Sequence, residues 1–290
     1  MPRHFLTGAE LTRADLDALL HRAGELKASP RASRALQDRI VALVFEKPST
    51  RTRVSFEAGV VEMGGHPMVL RAGEMQLSRG ESVKDTARIL SAHVDAVGVR
   101  TGPDEVVEGL AAEGTIPVFN MLTAGHHPCQ ALADLMTLQE TFGTLEGLRL
   151  AYVGDGNNVA RSLAVVGELA GVEVVVAAPA GYQLEEGHGA QLSDDPRAAA
   201  SGADALYTDV WVSMGDEEEA GRRRADLAPF RLDGDLLAAA EDGAIVLHCL
   251  PAHPGEEITA DVLYGDRSLV WDQAENRLHV YKAVLALTVR

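Results

Sequence analysis

The 290-residue chain carries 43 acidic against 26 basic residues, a formal net charge of −17 at pH 7. That balance argues against nucleic acid or an anionic membrane as the main partner, because both require a basic face. Hydrophobic residues make up 46% of the chain, an ordinary share for globular cores, yet no stretch approaches the ~20 apolar residues of a membrane span.

The N-terminal residues lead straight into Thr12-Arg13-Ala14-Asp15-Leu16, a capped helix start. No signal peptide or transit pattern is visible, so a cytoplasmic location is expected. Residues 11–28 read as an amphipathic helix with Leu16, Leu19, Leu20 and Ala23 on one face. The apolar run 40–44 reads as a buried parallel strand, and 51–63 as a helix ended by Gly64-Gly65. A short strand over 68–70 precedes a polar loop, 71–81, of a length that is often functional. Ser82 caps a helix over 83–93, a strand over 96–99 ends at Arg100, and 103–112 is a helix. A strand over 116–120 and the loop 123–128 lead into a helix over 129–142.

Gly143–Gly147 marks a domain boundary, after which the pattern restarts. Strands are expected at 148–153, 172–177, 203–207 and 244–248, and helices at 159–170, 232–241 and 274–287. The stretch 180–200 is rich in glycine and acid. The sum is an α/β chain of two doubly wound parallel-sheet domains facing one active-site cleft. The expected domains are 1–138 and 147–273, with the terminal helix, 274–290, packing back on the first.

Polar residues collect at the strand ends, where parallel α/β sheets bind ligands. Ser49-Thr50-Arg51-Thr52-Arg53 pairs a helix start with two guanidiniums, a combination that suits a phosphate. Taken alone it reads more readily as a capped helix with surface arginines. His127 and Gln130, one turn apart, can grip both sides of a small planar group, with His donating and Gln accepting from an NH2. Asp155-Gly156-Asn157-Asn158 follows a strand but lacks the glycines of a dinucleotide fingerprint. Asp209 with Ser213 suits an ammonium group, and Cys249 lies at another strand end. The spacings of His126, His127 and Cys129, and of His248, Cys249 and His253, do not match a structural zinc pattern, so no metal is expected.

Together these segments resemble the aspartate/ornithine carbamoyltransferase superfamily, on its ornithine branch, nearly end to end. The resemblance is carried by Phe45-x-Lys47-x-Ser49-Thr50-Arg51-Thr52-Arg53, Ser82-x-Lys84-Asp85-Thr86-Ala87-Arg88 and His127-Pro128-x-Gln130-x-Leu132-Ala133-Asp134. It continues in Asp209-Val210-Trp211-x-Ser213-Met214-Gly215, His248-Cys249-Leu250-Pro251 and Asp272-Gln273-Ala274-Glu275-Asn276-Arg277. It implies that the first domain binds carbamoyl phosphate and the second L-ornithine. Ser49, Thr50, Arg51, Thr52 and Arg100 would hold the phosphate, with Gln76 helping from its own or a neighbouring subunit. Arg100, His127 and Arg277 would polarise the carbamoyl oxygen, while Gln130 and a backbone carbonyl at Cys249 or Leu250 take the NH2. Asn158, Asp209, Ser213 and Met214 would bind ornithine, with Cys249 beside Asp209 near the δ-amine. The implied reaction needs no cofactor, and the implied assembly is a homotrimer, or a multiple of trimers, with shared active sites.

Three other readings remain open to the residues: transfer to a different amine such as putrescine or an acylated ornithine, a phosphometabolite sensor without turnover, and a nucleotide-dependent dehydrogenase. The Ser-Met-Gly and His-Cys-Leu-Pro segments favour free ornithine. Joint retention of Arg51, His127, Gln130, Cys249 and Arg277 favours an enzyme over a sensor.

Overall fold

The structure, a computed structural model, describes residues 4–185, 188–213 and 217–289. Helix α1 (Arg13–Ala28) starts at a Thr12–Asp15 capping box and buries Leu16, Leu19, Leu20, Ala23 and Leu26. There follow β1 (Ile40–Phe45), α2 (Thr50–Glu62), β2 (His66–Arg71), α3 (Val83–His93), β3 (Ala96–Arg100), α4 (Asp104–Glu113), β4 (Val118–Leu122) and α5 (Pro128–Phe142). Next come β5 (Arg149–Val153), α6 (Asn158–Ala170), β6 (Glu173–Ala177), β7 (Gln191–Ser193), α7 (Pro196–Ala200) and β8 (Ala205–Thr208). The described chain closes with α8 (Ala220–Leu227), α9 (Gly234–Leu237), β9 (Ile245–His248), α10 (Ala260–Leu263) and α11 (Val270–Thr288).

The chain divides into two compact units, Met1–Met136 with Asn276–Arg290, and Thr137–Glu275. The first contains a four-stranded sheet of order β2-β1-β3-β4, and the second a five-stranded sheet of order β7-β6-β5-β8-β9. Every strand pairing in both is parallel, as the alternating apolar runs and amphipathic segments predict. The first core gathers Ala42, Val44, Val97, Val99 and Val118 with Leu90 and Leu110 from the covering helices. The second gathers Ala151, Val153, Val175, Leu206 and Val246 with Leu236, Val262 and Val270. Strand order reverses between β1 and β3 in one sheet and between β5 and β8 in the other. A crevice opens at the carboxyl ends of the strands at each such point.

Helix α11 is fastened to α2 inside the first unit. Lys282 is fully buried there, 2.7 Å from Glu62 and 2.5 Å from the Pro30 carbonyl. A Cβ on Gly59 would stand 3.1 Å from Lys282 Cγ, so glycine allows the close approach of the two helices.

Several boundaries differ from expectation. Strand β4 begins at Val118 because Pro117 has no N–H to enter the ladder. The helix expected over 232–241 is only Gly234–Leu237, and beyond it the bonds of Ala239 and Ala240 tighten to i→i+3. The glycine- and acid-rich stretch contains β7, a three-residue exposed edge strand with no apolar alternation to announce it. The loop over 71–81 holds two short 3-10 turns, Ala72–Glu74 and Leu77–Arg79. Among the described residues no helix is long and apolar enough to cross a membrane.

Candidate active site

At the β1 crevice, Ser49 caps α2 by accepting from the Thr52 N–H at 3.3 Å. This leaves the first turn of α2 at the strand end, with its backbone donors and positive dipole end outward. Thr50 is exposed and Arg51 half-buried on that turn. Arg53 is tied along the helix to Glu57 and so belongs to the helix surface. Thr52 is fully buried, and its Oγ1 accepts from Arg277 Nη2 at 2.7 Å. Arg277 also donates to the Tyr281 hydroxyl at 2.7 and 3.1 Å, and Tyr281 stacks on Phe56 at 3.9 Å. The guanidinium is thereby held from both α2 and α11.

Arg100 ends β3 beside Phe45, 8% exposed, and its carbonyl accepts from Glu46 N–H at 2.9 Å. Glu46 in turn accepts from the Thr101 hydroxyl. His127 is buried where the chain enters α5. Burial first, then the positive charge of Arg277, Arg100 and Arg51, pushes its pKa well below the ordinary 6.5. His127 is therefore neutral at physiological pH and can donate a hydrogen bond without adding charge. Gln130, fully buried on α5, donates Nε2 to Asp134 Oδ1 at 2.8 Å. That fixes the amide and leaves Oε1 with no hydrogen-bond partner among the described residues, an acceptor oriented by its neighbour. Cys129 is fully buried, and burial pushes its thiol well above its ordinary range, so it is an inert packing group. Gln76 is exposed between the two 3-10 turns.

In the second unit, Asn157 caps α6 by accepting from Val159 and Ala160 N–H, and its Nδ2 donates to Asp209 Oδ2 at 2.8 Å. Cys249 Sγ donates to Asp209 Oδ1 at 2.9 Å. Asp209, 6% exposed, thus gathers groups from the ends of β5, β8 and β9. Behind it the Tyr152 hydroxyl donates to Asn157 Oδ1 at 3.2 Å. Asn158 opens α6 and is half-buried, as is Ser213. Met214 lies outside the described residues. Leu250 adopts φ +57° and is followed by a cis peptide bond to Pro251.

The structure also brings in groups that the sequence reading passed over. Arg223 on α8 donates to the Trp211 carbonyl at 2.6 Å, pairs with Asp155 and lies 5.1 Å from the Tyr182 ring. Asp134 and Tyr281 each stand four residues from the group they hold, a helical spacing that was available as a signal. Asp209, His248 and Cys249 are close enough to share an ion. Both ring nitrogens of His248 are however spent on Leu250 N–H and Glu257, so this set is a hydrogen-bonded cluster rather than a ligand set.

Comparison with known proteins identifies the family of both units. The aspartate/ornithine carbamoyltransferase carbamoyl-P binding domain matches residues 3–140, and the Asp/Orn binding domain of the same family matches residues 146–288. An ornithine carbamoyltransferase of Acidothermus cellulolyticus is 55% identical over 300 residues, covering 99% of this chain and 96% of that protein. An anabolic ornithine carbamoyltransferase of Pyrococcus furiosus is 49% identical, covering 88% of this chain and 85% of that one. The crystal structure of ornithine carbamoyltransferase from Thermus thermophilus superposes with a TM-score of 0.94 at 43% identity, over the whole of both chains.

Proposed function

The chain belongs to the aspartate/ornithine carbamoyltransferase family, and on that premise we infer that it transfers the carbamoyl group of carbamoyl phosphate to the δ-amine of L-ornithine, giving L-citrulline and phosphate. The observation that carries the choice of acceptor is the contact of Cys249 Sγ with Asp209 Oδ1 at 2.9 Å. It places a carboxylate and a thiol together at the strand ends of the second unit, where a small amine needs both an anion and an acceptor.

In this reading Ser49, Thr50, Arg51, Thr52 and Arg100 hold the phosphate, and Gln76 adds to it from a neighbouring subunit. Arg100, His127 and Arg277 donate to the carbamoyl oxygen as it gains charge, each donor contributing about 3–4 kcal/mol in the transition state. The neutral state of His127 suits a donor whose charged form three guanidiniums disfavour. Gln130 Oε1 and the Leu250 carbonyl accept from the NH2, which orients the planar group. Asn158, Asp209, Ser213 and Met214 hold ornithine.

A free alkyl amine has a pKa near ~10.4 and is protonated at neutral pH. Desolvation and neighbouring cations favour the neutral amine, with Asp209 and Cys249 accepting from it. Its nitrogen attacks the carbamoyl carbon, the C–O bond to phosphate breaks, and phosphate leaves with the bonding electrons. The amine proton passes to the departing phosphate. The chemistry is that of the residues and the two substrates, with no cofactor in any step.

The same reading makes the protein a cytoplasmic enzyme of arginine biosynthesis, in line with the anabolic relative. It also makes it a homotrimer or multiple of trimers with shared active sites. Exposed Val54, Val61, Met68 and Ile89 in the first unit support an association surface. Assay of citrulline formation with L-ornithine beside putrescine, N-acetylornithine and aspartate tests the acceptor. Turnover confined to ornithine supports the reading, and turnover confined to another amine overturns the roles given to Asp209 and Ser213.

A further inference from the structure

His248 and Glu257 form a buried pair that the mechanism above leaves unused. His248 ends β9 and is 1% exposed, and Glu257 is fully buried. The His248 Nδ1 accepts from the Leu250 N–H at 2.9 Å, which puts the ring proton on Nε2, 3.2 Å from Glu257 Oε1. The same carboxylate oxygen accepts from the His253 N–H. One carboxylate therefore ties the start of the 249–257 loop, through the imidazole, to its middle. Burial pushes the Glu257 carboxyl up, but the hydrogen bonds from His248 and His253 outweigh it and leave it below the usual carboxylate value. Gln273 completes the seat, accepting from the His248 N–H at 2.9 Å and donating to the Tyr207 hydroxyl at 3.1 Å.

The consequence falls on the turn itself. Leu250 holds a left-handed backbone, which a residue with a Cβ disfavours unless its surroundings impose it. Its N–H is bonded to His248 Nδ1, and in that turn Cys249 Sγ is bonded to Asp209. Packing alone gives no reason for a buried ionisable pair, since apolar side chains fill such space at least as well. Direction is what an imidazole with one committed lone pair and one committed proton supplies.

We propose that His248 and Glu257 are positioning residues that hold the Cys249-Leu250 turn and, through it, the contact of the thiol with Asp209. The proposal rests on the reading of Cys249 as part of the ornithine side of the site.

The test compares disruptive with conservative variants of the full-length protein: His248→Phe against His248→Asn, and Glu257→Ala against Glu257→Gln. Asn Oδ1 accepts from an N–H two residues on, so it replaces the Nδ1 acceptor. Gln keeps the Oε1 acceptor. Two readouts are taken: kcat/KM for ornithine with carbamoyl phosphate affinity measured separately, and the rate of Cys249 alkylation by iodoacetamide. Buried Cys129 stays silent in the second. The Phe and Ala variants are expected to lose about 10²-fold in kcat/KM for ornithine while binding carbamoyl phosphate normally. Their Cys249 alkylates faster, and the Asn and Gln variants recover most of both effects.

Wild-type alkylation and turnover in the Phe and Ala variants would overturn the proposal, as would failure of both conservative variants to recover. If His248→Phe does not fold, the Glu257 pair of variants decides the same question. If the wild-type protein makes no citrulline, the functional reading fails, and the alkylation rates still decide the positioning role.

Discussion

Arg277 Nη2 donates to Thr52 Oγ1 across 2.7 Å, joining two residues 225 positions apart in the chain. The contact fixes a cation of α11 over the first turn of α2, where the phosphate of the donor substrate is proposed to bind. Thr52→Val keeps the volume and removes the acceptor. A hydrogen bond to a charged group is worth about 1.5–3 kcal/mol, so this variant is expected to lose about 2 kcal/mol of stability in urea denaturation and to fall in kcat.

Arg51 lies half-buried on the same turn, and its replacement removes charge without removing core. Arg51→Ala is expected to weaken carbamoyl phosphate binding by roughly 10- to 10²-fold, the worth of a charge-assisted contact. Its melting temperature stays close to wild type. Calorimetric titration checks the first and a thermal scan the second. Wild-type affinity would remove the helix start from the phosphate site.

His127 gives a prediction with a sign. Its folded-state pKa lies below the ordinary 6.5, chiefly through burial. As pH falls below about 6.5 the unfolded chain takes up a proton that the folded chain refuses, so the unfolded state binds more protons and stability declines. The contribution is fully present above that pH and is lost progressively as pH falls toward the folded-state value. Stability measured from pH 8 down to pH 5 is expected to drop less steeply in His127→Gln than in wild type. An unchanged pH slope would contradict the buried neutral state.

Cys249 and Asp209 are proposed to form the acceptor side. Cys249→Ala and Asp209→Asn are expected to keep carbamoyl phosphate affinity and lose ~10²-fold or more of kcat/KM for ornithine, in the range seen when one electrostatic partner is removed. Equal losses in binding of both substrates would show a folding defect instead.

The strand-end positions of Ser49, Arg100, Asp209 and Cys249 were legible because each follows a short apolar run, and the helix start at Ser49 announces itself by a local cap. The partners that aim these groups were not. Thr52 as the seat of Arg277, and Asn157 as the donor to Asp209, depend on contacts between distant elements that leave no periodic trace. Asp134 beneath Gln130 and Tyr281 beneath Arg277 had a visible i, i+4 spacing, but spacing alone does not say that a pair is buried. Arg223 was hidden in a stretch of three arginines, two of which are solvent-facing. Edge strand β7 is too short and too exposed to carry an apolar pattern.

The proposed reaction joins the δ-nitrogen of ornithine to the carbamoyl carbon. It is tested most directly with carbamoyl phosphate labelled with ¹³C and ornithine labelled with ¹⁵N at the δ-position, followed by NMR. A one-bond ¹³C–¹⁵N coupling is expected in the product, growing in step with released phosphate. Phosphate release without that coupling, or carbamoylation at the α-nitrogen, would contradict it.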